Sequence, residues 1–127
     1  MTLSGANTFS GATVVDAGTL TLNGGSALAN SMAVTVNASG TMKLASSEEI
    51  ATLAGSGAVD LQGNVLTVSG SGNTVYSGVM SGTGGSLVKS GSGALTLSGV
   101  NTFTGGASVS GGAVLVGDNA AFGTGSV

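Results

Sequence analysis

Thr2-Leu3-Ser4-Gly5-Ala6-Asn7-Thr8-Phe9-Ser10-Gly11 comes back, 94 residues later, as Thr96-Leu97-Ser98-Gly99-Val100-Asn101-Thr102-Phe103-Thr104-Gly105. Only two positions differ, Ala6 against Val100 and Ser10 against Thr104. A repeated unit cannot bury its apolar face alone and must stack on its neighbours, so the recurrence points to a modular, elongated architecture. A period of 94 is too long for one supersecondary unit, and a shorter repeat lies inside it. Short apolar strands ending near Val15, Val36, Leu53, Val68, Val88 and Val109 are each followed by a turn and a second strand. The second strands carry Leu20, Met42, Val59, Val75, Leu95 and Val114, at spacings of 22, 17, 16, 20 and 19 residues. The long repeat therefore reads as about five short ones.

Two architectures use many short strands with glycine turns: an antiparallel sandwich or barrel, and a parallel β-helix in which each unit is one coil. Repetition favours the coil, because equivalent residues stack about 4.8 Å apart and like side chains form ladders. One inward ladder is expected at Leu20, Met42, Val59, Val75, Leu95 and Val114. A second, two residues on, is expected at Leu22, Leu44, Leu61, Leu97 and Val116, with Ser77 interrupting it. Thr21, Lys43, Asp60, Tyr76, Thr96 and Leu115 then face outward, with Lys43 beside Asp60 on neighbouring coils. Gly18, Gly40, Gly57, Gly93 and Gly112 precede second strands and are expected at left-handed corners, with Asn73 in that role in the remaining unit. The expected fold class is all-β, a single-stranded parallel β-helix (solenoid) of about six coils of 16–22 residues.

Composition narrows the function. With 25 glycines and no proline the chain could pass for low-complexity sequence, but it is 41% apolar with a net charge of only -3, and its Val and Leu alternate with Thr and Ser. Lys43 and Lys89 are the only basic side chains, too few for a phosphate-binding stripe, so nucleic acid is not an expected partner. There is no cysteine for a disulfide or thiolate metal site, and no apolar run long enough for a membrane helix. Met1 leads straight into a repeat without a signal-peptide pattern.

Catalysis has little to work with: histidine, cysteine and arginine are absent. Of the five carboxylates, Asp16 and Asp118 fall about five coils apart, roughly 24 Å at the sheet spacing and far beyond a working acid pair. Glu48 and Glu49 sit in Ala45-Ser46-Ser47-Glu48-Glu49-Ile50, read as a solvated loop or short helical turn capped by Ser46 or Ser47. No catalytic residue, cofactor or metal is expected; the isolated Asp16 and Asp118 do not make a calcium array. An ice-binding threonine grid is absent too, since Thr19 and Thr21 are matched by Thr41 and Lys43, Ala58 and Asp60, and Ala113 and Leu115. Asn7 and Asn101 are read as satisfying backbone groups at bends, and Phe9 and Phe103 as plugs for the wider corner of a coil. Tyr76, placed on the outward ladder, is the one candidate binding residue.

The run Gly93-Ala94-Leu95-Thr96-Leu97-Ser98-Gly99-Val100-Asn101-Thr102-Phe103-Thr104-Gly105-Gly106 resembles the passenger-associated repeat of bacterial autotransporters. Tyr76 to Gly93 resembles the lead-in to that repeat, and Thr2 to Gly18 a second copy, so autotransporter-type repeats are expected near 2–22 and 76–116. The resemblance implies a right-handed parallel β-helix, exported and displayed outside the cell ahead of a C-terminal outer-membrane barrel that is not in these 127 residues. It implies a single β-helical segment, residues 1–127, cut from a longer passenger and serving as a structural stalk that supports passenger folding, export and display. The expected partners are the adjacent coils of the full-length protein, that barrel, a second copy through the exposed ends, and a host surface ligand. Two rival functions stand beside the stalk: an adhesin face binding host glycan or protein directly, and a polysaccharide-cleaving β-helix enzyme.

Overall fold

The computed structural model describes residues 1–127 as an all-β, parallel solenoid of about six turns with no helix. The strands are β1 (Thr2–Ser4), β2 (Thr13–Asn23), β3 (Ala33–Leu44), β4 (Glu48–Ile50), β5 (Thr52–Gly55), β6 (Ala58–Asp60), β7 (Val65–Val68), β8 (Thr74–Tyr76), β9 (Met80–Ser81), β10 (Ser86–Lys89), β11 (Ala94–Leu97), β12 (Ala107–Val109) and β13 (Ala113–Val116). Every strand pairing is parallel, and partners lie 17 to 22 residues apart, which is one coil. Each coil has three sides. A nine-stranded sheet wraps two of them, because β2 and β3 run through a corner where the register slips between Val15 and Ala17. The third side is the four-stranded sheet β4-β7-β10-β12.

Alternation within each strand builds the core. In β3 the buried residues are Val34, Val36, Gly40, Met42 and Leu44, and in β11 Leu95 and Leu97, with Thr and Lys turned outward between them. Burying a Val or Leu removes its surface from water at a gain of about 1.5–3 kcal/mol each, and this offsets the entropy lost by a chain rich in glycine. The inward residues of all three sides merge into one cluster from Val15 to Ala121.

The third side changes the ladders. Leu20, Met42 and Val59 stack as expected, but the next rung is Met80, not Val75. Leu95 and Val114 stack on a different side, above Val34, Leu53 and Thr74. Likewise Leu3, Leu22, Leu44 and Leu61 continue to Gly82 and Phe103, while Leu97 and Val116 continue the series Val15, Val36, Gly55 and Tyr76. Each expected ladder was spliced from two sides. The ladder beginning at Leu3 reaches Phe103 five coils and 100 residues on, so a 94-residue offset falls short of five coils by one side. The two copies of the opening motif consequently sit on neighbouring sides of the solenoid, turned by a third of a revolution.

The Lys43–Asp60 pairing holds in register. The Asp60 carboxylate, however, turns back to accept the Gln62 N–H at 3.0 Å. The glycine corners divide into two kinds. Gly18 and Gly112 have φ of 73° and 64°, as a left-handed corner requires. Gly40, Gly57 and Gly93 are not left-handed; a Cβ there would collide with the carbonyls of Val15, Asn37 and Gly72 on the preceding coil, so stacking distance is what demands glycine. Asn73 is not left-handed either, and its Oδ1 accepts the Ala94 N–H of the next coil at 2.8 Å.

Candidate functional site

Tyr76 does not face solvent. It is fully buried, and the exposed neighbour is Val75, at 56%. One coil away Tyr76 stands in register with Gly55, a rung that carries no side chain of its own. Its hydroxyl donates to the carbonyl of Gly57 at 2.8 Å and lies 3.1 Å from that of Val79. Burial pushes the phenol well above its ordinary value, so it stays neutral. This corrects the assignment of Tyr76 as a surface contact, because a residue with no accessible surface cannot meet a ligand.

The same device recurs at Phe103. It is fully buried and stands in register with Gly82 on the coil before and Gly123 on the coil after, at φ of 134° and 68°. Beside it, Asn101 bridges coils in both directions. Its Oδ1 accepts the Met80 N–H from below at 2.8 Å, and its Nδ2 donates upward to the carbonyl of Ala121 at 2.5 Å. Asn7 makes the upward half of this arrangement, donating to the Ala27 carbonyl at 2.9 Å. Phe9, in the first coil of the structure, is 44% exposed. The asparagine-threonine-phenylalanine signature is thus a clamp between coils, as expected of the asparagines; the plug role is complete at Phe103 and half-formed at Phe9.

With this clamp located twice, the comparison with known families becomes specific. The family model described as the passenger-associated-transport-repeat matches residues 1–32 and 87–116. Over these two segments the chain is similar to passenger repeats. The two matched segments contain Asn7 and Phe9, and Asn101 and Phe103, and they take in the end of the expected lead-in but leave residues 76–86, Tyr76 among them, outside. Neither a curated protein nor a solved structure matches the chain.

Two charged side chains sit where sequence reading did not put them. Glu48 is in strand β4 and buried, not in a solvated loop. Its two oxygens accept the backbone N–H groups of Ala27 and Leu28 at 3.2 and 3.0 Å, which lie at a bend with no strand partner of their own. Desolvation raises its pKa, and those two hydrogen bonds pull the other way without cancelling it. Lys89 is in register with Val68 and Val109 on the inward ladder and is 1% exposed. Its aliphatic stem fills the core, and its Nζ donates to the Gly91 carbonyl at 2.6 Å. Desolvation lowers its pKa.

The remaining carboxylates are occupied separately. Asp16 accepts from Asn37 Nδ2, Glu49 from Ser69 Oγ and Asp118 from the Ala120 N–H, at 2.6, 2.6 and 2.8 Å. No three acidic side chains gather as a metal site requires. Of the surface hollows, one of about 610 Å³ is lined by serine, glycine, threonine, asparagine and alanine and holds no carboxylate. The largest, about 640 Å³, is the open first coil, lined by Met1, Leu3, Phe9, Val15 and Leu20 among others.

Proposed function

We propose that the chain is a structural β-helical stalk segment of a secreted or surface-displayed bacterial autotransporter, and that it supports folding, export and display of the passenger. The observation that carries this reading is the inter-coil clamp, complete at Asn101 and Phe103 and half-made at Asn7 and Phe9, in the two segments that match the passenger repeat. Each coil supplies one rung of backbone pairing and one layer of apolar side chains. Coils can therefore be added one at a time as chain emerges, and each is held by the one before it. Residues 1–127 act as one segment, and the partners of this reading are further coils and a C-terminal membrane barrel. Catalysis is not part of it: the passenger repeat is a structural family, and the acids are engaged singly. The direct-adhesin alternative loses its aromatic candidate with the burial of Tyr76.

Fusing the chain between an export signal and an autotransporter barrel tests the proposal by protease shaving of intact cells. The chain should reach the surface as a protease-resistant core. A variant carrying Asn101→Ala with Phe103→Ala should be displayed less, or be cut readily. Equal display and equal resistance of the two proteins would sink the reading, as would turnover of a polysaccharide by the purified chain.

A further inference from the structure

Asn23 alone among the asparagines is followed by glycine, and the pair Asn23-Gly24 lies where β2 leaves the sheet. Glycine in the second place matters chemically: with no Cβ beside it, the Gly24 nitrogen is free of the steric shielding that a side chain gives its own backbone. Asn23 stands in register with Ser4 on one coil and with Ala45 on the next, so it lies within the stack and not on an end face. Its side chain and the stretch Gly24-Gly25-Ser26 are exposed, so water reaches the pair.

The next coil supplies one more group. Ser46 Oγ accepts the Gly24 N–H at 3.0 Å and donates to Asn23 Oδ1, also at 3.0 Å. One hydroxyl thereby touches both a backbone nitrogen and the carboxamide oxygen of the residue before it, each within reach of proton transfer. A peptide nitrogen is a weak nucleophile, and a group that takes up its proton is what activates such an atom. The other amides are engaged differently. Asn7, Asn64 and Asn101 donate through Nδ2 to backbone carbonyls of other coils, and each is followed by a residue with a side chain.

We propose that Asn23 is a site of self-modification, at which Ser46 relays a proton from Gly24 N to Asn23 Oδ1 and the carboxamide is lost as ammonia. The Gly24 N–H proton passes to Ser46 Oγ as the hydroxyl proton passes to Oδ1, and the Gly24 nitrogen bonds to Asn23 Cγ. The tetrahedral carbon so formed carries a hydroxyl and an amino group. The hydroxyl proton then moves to the amino group, the Cγ–Nδ2 bond breaks, ammonia leaves and a cyclic imide remains. Water adds to either imide carbonyl and opens the ring, giving aspartate or, with the backbone routed through the side chain, isoaspartate. Nothing is oxidised or reduced, and water is the sole co-reactant. Either product adds one negative charge to a chain of net charge -3, and isoaspartate also lengthens the backbone at the exit of β2. The inference does not rest on the stalk reading.

Incubating the folded chain in mildly alkaline buffer, with peptide mass spectrometry and enzymatic labelling of isoaspartate, tests it. Conversion should concentrate at Asn23. It should run faster in the folded chain than in the same chain unfolded in guanidinium chloride, because only folding brings Ser46, 23 residues on, against the pair. Ser46→Ala should slow it by roughly a hundredfold, the low end of what a positioned proton-transfer group supplies. Ser46→Thr keeps a hydroxyl and should retain most of the rate, and Asn23→Asp supplies the product mass as a reference. A folded chain that converts no faster than the unfolded one overturns the proposal, as does a folded Ser46→Ala variant that matches the parent. Circular dichroism checks the fold of each variant; if Ser46→Ala is unfolded, the folded and unfolded parent decide the matter between them.

Discussion

Replacing Tyr76 tests the register of the middle coils directly. The ring is fully enclosed opposite Gly55, and the hydroxyl serves the Gly57 carbonyl. Tyr76→Phe keeps the ring and removes the hydroxyl, which should destabilise the chain by about 1–2 kcal/mol for a lost buried hydrogen bond. Tyr76→Ala should cost about 3–5 kcal/mol, the range for deleting an enclosed aromatic. It belongs at the upper end of that range, because glycine across the ladder has no side chain to relax into the hole. Urea midpoints followed by far-ultraviolet circular dichroism measure both changes, and roughly 4 °C of melting temperature per kcal/mol is the thermal equivalent for a domain of this size. Tyr76 is the sole tyrosine, so phenolate absorbance reports it alone. Burial holds its pKa up, and phenolate should therefore appear only as the chain unfolds in alkali. The reasoning is refuted if Tyr76→Ala changes stability by less than about 0.5 kcal/mol, the size of an ordinary surface substitution, or if phenolate forms near the free value of about 10 with the fold intact.

The matched phenylalanines give a second comparison: Phe103→Ala should cost about 3–5 kcal/mol, and Phe9→Ala clearly less because its ring is already half in water, both read from urea midpoints on monomeric protein. Glu48 has a raised folded pKa, so its contribution to stability is fully present below its unfolded value and is lost as pH rises through the folded one. Stability should thus fall with rising pH across that window, and Glu48→Gln should remove this component while leaving one of the Ala27 and Leu28 N–H groups without an acceptor. Lys89 has the opposite sign: with its folded pKa lowered, stability rises with pH between the folded value and that of the unfolded chain. Lys89→Met keeps the inward stem and should abolish that alkaline gain, as thermal melts at two pH values will record.

Tyr76 and Val75 show where the sequence stopped being sufficient. In Asn73-Thr74-Val75-Tyr76-Ser77 the alternation can be read in either phase, and valine is the more usual inward residue. The structure takes the other phase: Tyr76 stands in register with Gly55, 21 residues earlier, and its hydroxyl reaches the Gly57 carbonyl, pairings that no local pattern announces. Glu48 was misread for a similar reason: the N–H groups that make its burial tolerable belong to Ala27 and Leu28 on another coil. A phenylalanine with glycine about one coil before and after it was a usable signal for Phe103 and its neighbours. Tyr76 has glycine only on the coil before it, Gly55, and Leu97 on the coil after, so that rule does not reach it.

The amino-acid order by itself determined that this is a parallel solenoid of about six coils, that Val and Leu alternate inward against outward polar residues, and that Asn101 works on backbone groups. Those properties follow from period-two alternation and a repeat near 20 residues, both local in the chain. Only the tertiary structure decided that each coil has three sides, which side each strand occupies, and that the two motif copies are turned relative to one another. Inward sets of Val, Leu and Met look alike on every side, so the sequence carries almost no label for a side. Register is set instead by contacts between coils, such as the Tyr76 hydroxyl on the Gly57 carbonyl and the Asn101 amide between Met80 and Ala121.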